Sequence, residues 1–167
     1  MADKYVFDTN SFVEAYRKFY AFDIAPGYWR RFERVFAEDN IIMLDVVSDE
    51  IIKAKKDNLA EWLKQQNKGL VHRQSYIAEY ARIMNYIQSC GHYNDRATAQ
   101  WSQADHADPW IVAAGIHEAG TVVTFEKSQT YNGSRMGKIC IGEIADHFEV
   151  RYINLYDFMR EQGIVLQ

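Results

Sequence analysis

A set of carboxylates follows short apolar runs along this chain. Asp8 comes directly after Tyr5-Val6-Phe7, inside the stretch F-D-T-N-S-F, Phe7 to Phe12. Asp45, Asp49 and Glu50 follow Ile41-Ile42-Met43-Leu44, and Glu126 follows Thr121-Val122-Val123-Thr124. Asp108 precedes Pro109 and opens the segment that leads into the last of these runs. Carboxylates held close together repel and raise one another's pKa. A hard divalent cation relieves that repulsion. Mg²⁺ and Mn²⁺ prefer oxygen ligands, and Mg²⁺ readily keeps water and phosphate oxygens in its shell. The chemistry such a set favours is hydrolysis of a phosphate ester, because the cation lowers the pKa of a coordinated water and stabilises charge on phosphate.

Each acid also has an ordinary structural reading. Asp8 could cap the helix that follows it, since Asp, Asn and Ser all cap well. Asp108 with Pro109 has the pattern of an N-cap followed by the first helical residue. Asp49 and Glu50 could favour the positive end of a helix, and Glu126, beside Lys127, could be a solvated loop residue. Against these readings stands their common position, since neither alternation nor amphipathicity accounts for the acids.

The elements that would position them alternate. Tyr5–Phe7 reads as a buried strand, and Ser11–Tyr20 has helical spacing through Phe12, Ala15, Tyr16 and Phe19. Pro26-Gly27 interrupts, Tyr28–Phe36 is a second helix, and Ile41–Leu44 is a branched-residue strand leading into a helix from Val47. The middle is helical: Leu59–Leu63, closing near Gly69; Ser75–Ile87, capped by Gly91; and Asp95 or Arg96 to Trp101. Then come a helix from Asp108 to about Ala119, a strand Thr121–Thr124, and a polar loop Ser128–Gly137. A helix Cys140–Phe148, a strand Val150–Ile153 and a helix Leu155–Gln162 close the chain. Alternation of this kind predicts an α/β fold with a short central parallel sheet flanked by helices. In such sheets ligands lie beyond the carboxyl ends of the strands, which is where Asp8, Glu50 and Glu126 would stand.

At 167 residues the chain fits a single domain spanning 1–167, with 48% hydrophobic and 25% charged residues and no internal repeat. The net charge of −4 argues against a broad nucleic-acid-binding surface but leaves room for a local basic patch. Cys90 and Cys140 form no CxxC pair and read as reduced thiols. Neither a signal segment nor an apolar run of membrane-spanning length is present, so the expectation is a cytoplasmic protein with no membrane partner.

At the acids the chain resembles a known family. V-F-D-T-N at Val6–Asn10 is similar to the opening motif of PIN-domain nucleases, the fold of many bacterial toxin ribonucleases (VapC-like proteins). V-V-S-D-E-I at Val46–Ile51, A-D-P-W-I-V-A at Ala107–Ala113 and V-V-T-F-E at Val122–Glu126 resemble their second, third and fourth acidic motifs. The resemblance is closest to an uncharacterised PIN-like branch, the DUF4411 family, through F-V-E-A-Y-R-K-F-Y at Phe12–Tyr20 and P-G-Y-W at Pro26–Trp29. It spans nearly the whole chain. It implies a PIN-like three-layer fold and a Mg²⁺- or Mn²⁺-dependent endoribonuclease, often dimeric and held inactive by an antitoxin. Asp8, Glu50 and Asp108 would then be metal ligands and Glu126 the fourth acid, with Asn10 and Thr124 orienting carboxylates or water. Glu126 is longer than the usual Asp, which suggests contact through water. Asp49 competes with Glu50, and Glu50 is preferred because Ile51-Ile52 follows it.

Substrate phosphates could meet Lys127, Arg135 and Lys138, which flank the fourth acid and its loop. Arg30, Arg31 and Arg34, and Lys53, Lys55 and Lys56, read rather as solvated helix faces. The loop Ser128–Gly137 could close over substrate. No histidine spacing suggests zinc, and His106 reads as a surface residue despite its nearness in sequence to Asp108. The tryptophans and cysteines read as core. Two rival readings accompany the nuclease. One is a catalytically silent PIN-fold module that binds RNA or protein. The other is a phosphatase with Asp8 as covalent nucleophile, in which a second acid would be expected where this chain has Asn10.

Overall fold

A computed structural model describes residues 3–54 and 57–166. The chain runs β1 (Tyr5–Phe7), α1 (Thr9–Glu14), a π-helical turn (Ala15–Phe19), α2 (Pro26–Phe36), β2 (Ile41–Ile42), α3 (Asp45–Ala54) and α4 (Asn58–Gln65). After a 3-10 turn (Arg73–Tyr76) come α5 (Ile77–Ser89), α6 (Asp95–Trp101), α7 (Ala107–Glu118), β3 (Thr121–Val123), α8 (Ile141–His147), β4 (Tyr152–Ile153) and α9 (Leu155–Glu161). The strands form one parallel four-stranded sheet in the order β2-β1-β3-β4. This is the α/β class read from the alternation, consistent with a three-layer PIN-like arrangement.

Both sheet faces are covered. On one, Phe7 meets Phe12 of α1, Phe32 of α2 and Phe158 of α9, with ring centroids 5.3, 5.7 and 4.9 Å away. On the other lies α7, which is buried almost all round. There the Cα of Gly115 approaches so closely that an added Cβ would stand 2.7 Å from Val150 Cγ1 and 3.1 Å from Val122 Cγ2. A helix packed on both sides reads as continuously apolar rather than striped.

Several boundaries differ from the sequence expectation, each for a local reason. α1 starts at Thr9, ahead of Ser11, and its continuation is π-helical, with the Tyr20 amide donating to the Ala15 carbonyl at 2.6 Å. β2 ends at Ile42 because the next residues turn to a different neighbour. Val71 N–H donates to Met43 O at 2.9 Å, and Asp45 N–H to Val71 O at 3.0 Å. α7 starts at Ala107, so Asp108 lies inside the first turn and the N-cap position belongs to His106. The left-handed residue that ends α7 is Ala119, at φ 48°, one position before the expected Gly120.

Register delivers the site. Tyr5 pairs with Thr121 and Phe7 with Val123, while Val123 pairs with Ile153. The strands therefore end level, and Asp8, Thr124 and Asn154 leave the sheet at one edge. No helix among the described residues is long and apolar enough to cross a membrane.

Candidate active site at the carboxyl edge of the sheet

Asp8 is buried, at 3% exposure, immediately after β1. It occupies the N-cap position of α1, yet its side chain makes no capping bond. The carboxylate instead accepts from Thr124 Oγ1 at 2.7 Å. Asn10 supports that contact from the next turn. Its Nδ2 donates to Thr124 Oγ1 at 3.4 Å, and its Oδ1 accepts from the Phe125 amide at 3.1 Å. Thr124 Oγ1 also accepts the Glu126 amide at 3.0 Å, so one hydroxyl ties the first acid to the backbone of the fourth.

Glu50 reaches the same edge from α3. Its Oε2 accepts from Thr9 Oγ1 at 2.5 Å, and its Oε1 accepts from the Ala107 amide at 3.0 Å. That second bond satisfies one of the unpaired amides at the start of α7, leaving Asp108 without the capping task its place before Pro109 suggested. Asp49 is turned away, with a side chain 47% exposed and Arg73 Nη2 3.0 Å from its Oδ2. Arg73 also grips Asp45 and the Ala104 carbonyl, pinning the start of α3 to the approach to α7. Of the adjacent acids Asp49 and Glu50, Glu50 is the one at the edge.

Glu126 is half-buried. Its Oε2 accepts from the Ile141 amide at 2.8 Å, at the start of α8, and its Oε1 lies 3.5 Å from Lys138 Nζ. This approach depends on Gly142, where a Cβ would fall 2.5 Å from Ser128 N and 2.8 Å from Lys127 C. His106 is at the site rather than on the surface. Its Nε2 is buried and lies 3.2 Å from Asp108 Oδ2, an ion pair when the imidazole is protonated.

The electrostatics reflect this crowding. Burial first, then the charge of Asp108, with smaller contributions from Glu126 and Glu50, hold the Asp8 carboxyl well above the usual carboxylate range; the Thr124 bond opposes them. Glu126 is pushed up by burial and Asp108, against the Ile141 amide and Lys138. Burial works to lower the His106 pKa, but Asp108, Glu50 and Glu126 outweigh it and raise the imidazole above its ordinary value. Lys138 is raised, chiefly by Glu126.

Among the described residues no group of three or more His, Cys, Asp or Glu side chains stands together closely enough to hold one ion. Asp8, Glu50, Asp108 and Glu126 share an edge and feel one another's charge, and each is held by a protein donor or a neighbouring cation. By chemistry they are an all-oxygen donor set suited to a hard cation, and Asp8 and Glu126 are raised by burial first and by the charge of Asp108 second.

Two clefts flank the edge. One of about 420 Å³ is lined by Thr9, Asp49, Glu50, Lys53, Ala54 and Asp105. The other, of about 310 Å³, is lined by residues including Thr124, Phe125, Glu126 and Lys127. A larger cleft of about 1120 Å³ lies at the opposite, amino edge, near Tyr5, Thr121, Arg151 and Glu161. There Arg151 is paired with Glu161, and ligands of parallel sheets bind at the other end.

Of the basic residues, Lys127 is exposed beside Glu126 and Lys138 faces Glu126 directly. Arg135 is exposed on the loop, and among the described residues no ion pair ties it to the acids. Arg30 and Arg34 are exposed on α2, Lys53 pairs with Asp49 at 3.7 Å, and Lys55 and Lys56 lie outside the described residues. The loop 128–137 is tethered near its ends, by Gln129 N–H to Glu143 and by Met136 pairing with Tyr93. The tryptophans are all buried, as expected. Sequence reasoning missed Thr9, Arg73, Ile141 and Gly142, whose roles are set by long-range approach; the nearness of His106 to Asp108 was a usable signal.

Fold and site together define an α/β protein with a carboxylate-lined edge at the ends of parallel strands. The family model for a domain of unknown function (DUF4411) matches residues 5–166, and the chain belongs to that family. No curated protein and no solved structure matches it.

Proposed function

We propose that the protein is a metal-dependent endoribonuclease that hydrolyses RNA phosphodiester bonds in the cytoplasm. In this reading it is the toxin of a bacterial toxin–antitoxin pair, with an antitoxin as partner and a homodimer as its assembly. The PIN-like motifs support the class of reaction and the toxin role. The single observation that carries the chemistry is geometric: Asp8 is buried at the end of β1 and bonded to Thr124 instead of capping α1, beside Glu50, Asp108 and Glu126.

Asp8, Glu50 and Asp108 would hold Mg²⁺ or Mn²⁺, with Glu126 completing the acidic ring. A cation so bound supplies charge neutralisation at the phosphate and a water acidic enough to be deprotonated near neutral pH. The chain's own groups do the rest. Thr124 fixes one Asp8 oxygen, and Asn10 fixes Thr124. Lys138 offsets Glu126, and Lys127 and Arg135 stand by for substrate phosphates. Incubating a panel of RNAs with Mn²⁺ tests this reading. Cleavage by the wild type and none by a folded Asp8→Asn variant is expected; equal cleavage by both would refute the site.

One observation favours a second reading, a catalytically silent RNA- or protein-binding module. Among the described residues the acids form no closed ligand cluster, and Glu126 is already engaged by Ile141 and Lys138. A silent module binds Mn²⁺ poorly and cleaves no RNA in the panel.

A further inference from the structure

The smaller flanking cleft has an aromatic wall. Phe125 and Tyr156 line it, with ring centroids 5.8 Å apart, and Phe19 completes the set at 5.7 Å from Phe125 and 5.5 Å from Tyr156. Phe19 is 41% exposed, whereas Phe7, Phe12 and Phe32 are the buried core phenylalanines nearby. It is also the last residue of the π-helical turn. Such turns are rare and often accompany functional sites. The rest of the lining is polar: Glu126, Lys127, Asn154 and Asp157.

We propose that the aromatic cluster of Phe19, Phe125 and Tyr156, whose ring planes stand 45–70° apart, holds one unpaired nucleobase of the substrate strand, stacked on one ring face and met edge-on by a neighbouring ring. The proposal rests on the reading of the acid edge as an RNA hydrolase, and it names a base-binding subsite beside that edge. Every base has a π face, so aromatic side chains hold single strands with little regard for sequence. Bases in an intact duplex are stacked on one another and cannot enter. The 310 Å³ cleft is at the small end of ligand pockets, a size suited to one ring system rather than a peptide segment. Thr124, Phe125 and Glu126 belong to both the cleft and the acid edge, so a base stacked here carries its own phosphate towards the carboxylates. Exposed Lys127 lies at the same mouth to meet that charge.

The test uses the full chain and a single-stranded RNA of about 12 nucleotides, within the span of known single-strand sites. The strand carries 2-aminopurine, whose fluorescence is quenched on stacking. Binding is measured without divalent cation, so that no strand is cut. The wild type is expected to quench the probe and to prefer it to a duplex of the same length. Phe19→Leu and Tyr156→Leu keep apolar packing but lose the aromatic face. Each is expected to weaken binding roughly 5- to 150-fold, the range of base–aromatic stacking, while Tyr156→Phe retains it. Binding through phosphates alone, without quenching, overturns the proposal. So does wild-type affinity in both Leu variants, the result expected if the cleft belongs to a protein partner. Quenching without Mn²⁺-dependent cleavage would leave the platform standing and remove the nuclease reading; cleavage without quenching would do the reverse.

Discussion

At the scale of single residues, Asp8 stands where a helix cap belongs and does not cap. A buried acid with a raised pKa favours its protonated form in the folded state. Its contribution to stability is fully present below the unfolded-state pKa of about 3.9 and is lost as pH rises through the folded value. Groups such as Glu118 and Glu161, whose pKa values are lowered in the fold, act in the opposite sense and lose their contribution on acidification. The difference between wild type and Asp8→Asn isolates Asp8, because an Asn can still accept the Thr124 hydroxyl. In metal-free buffer the variant should melt with the wild type at acid pH and above it near neutrality. Each kcal/mol is worth about 2–4 °C for a chain of this size. Thermal melts across pH check this, and an advantage that shrinks as pH rises would contradict it. Asn10 acts through Thr124 and the Phe125 amide, so Asn10→Ala should lower cleavage by roughly 10- to 100-fold, the range seen when second-sphere supports of a metal site are removed. A rate assay at saturating Mn²⁺ measures it.

At the scale of elements, the site depends on backbones that approach closely. Gly142 lets the chain at Lys127–Ser128 pass over the first turn of α8, where the Ile141 amide holds Glu126. The obstacle to a side chain there is backbone, which cannot swing aside as a flexible side chain would. Gly142→Ala should therefore destabilise the fold by about 1–3 kcal/mol, as overpacking does, and loosen Glu126. Urea unfolding reads the loss, and unchanged stability would show that the approach has slack. No local pattern announces such a glycine. The alternation of apolar runs and helical spacing was enough to read the parallel sheet and to place Asp8 and Glu126 at its carboxyl edge. Spacing could not show that Met43 and Leu44 leave β1 for Val71, or that Glu50 reaches the amide at the start of α7 and displaces Asp108 from the cap. Those features come from pairs separated by 27 residues or more in sequence. Nothing local in sequence distinguishes His106 from an exposed histidine, whereas in the fold Asp108, Glu50 and Glu126 act on it.

At the scale of the whole molecule, a net charge of −4 and an acidic edge must still admit a polyanion. Among the described residues the cations at the edge are few and local, and Lys138 is already paired with Glu126. If Lys127, Arg135 and Lys138 each meet one phosphate of a single strand, log K should fall against log salt with a slope of about −2. A much steeper slope would point to a broad basic surface elsewhere. The family match covers residues 5 to 166 and so spans the carboxylate edge, the aromatic cleft and the loop between them. In the proposed function Asp8, Glu50, Asp108 and Glu126 act together on a divalent cation. The most direct test is a Mn²⁺ titration of the metal-free protein, with free ion followed by electron paramagnetic resonance. Saturable binding by the wild type is expected, largely lost in a folded Asp8→Asn variant. A wild type that takes up no Mn²⁺, or an Asp8→Asn variant that binds it equally well, would contradict it.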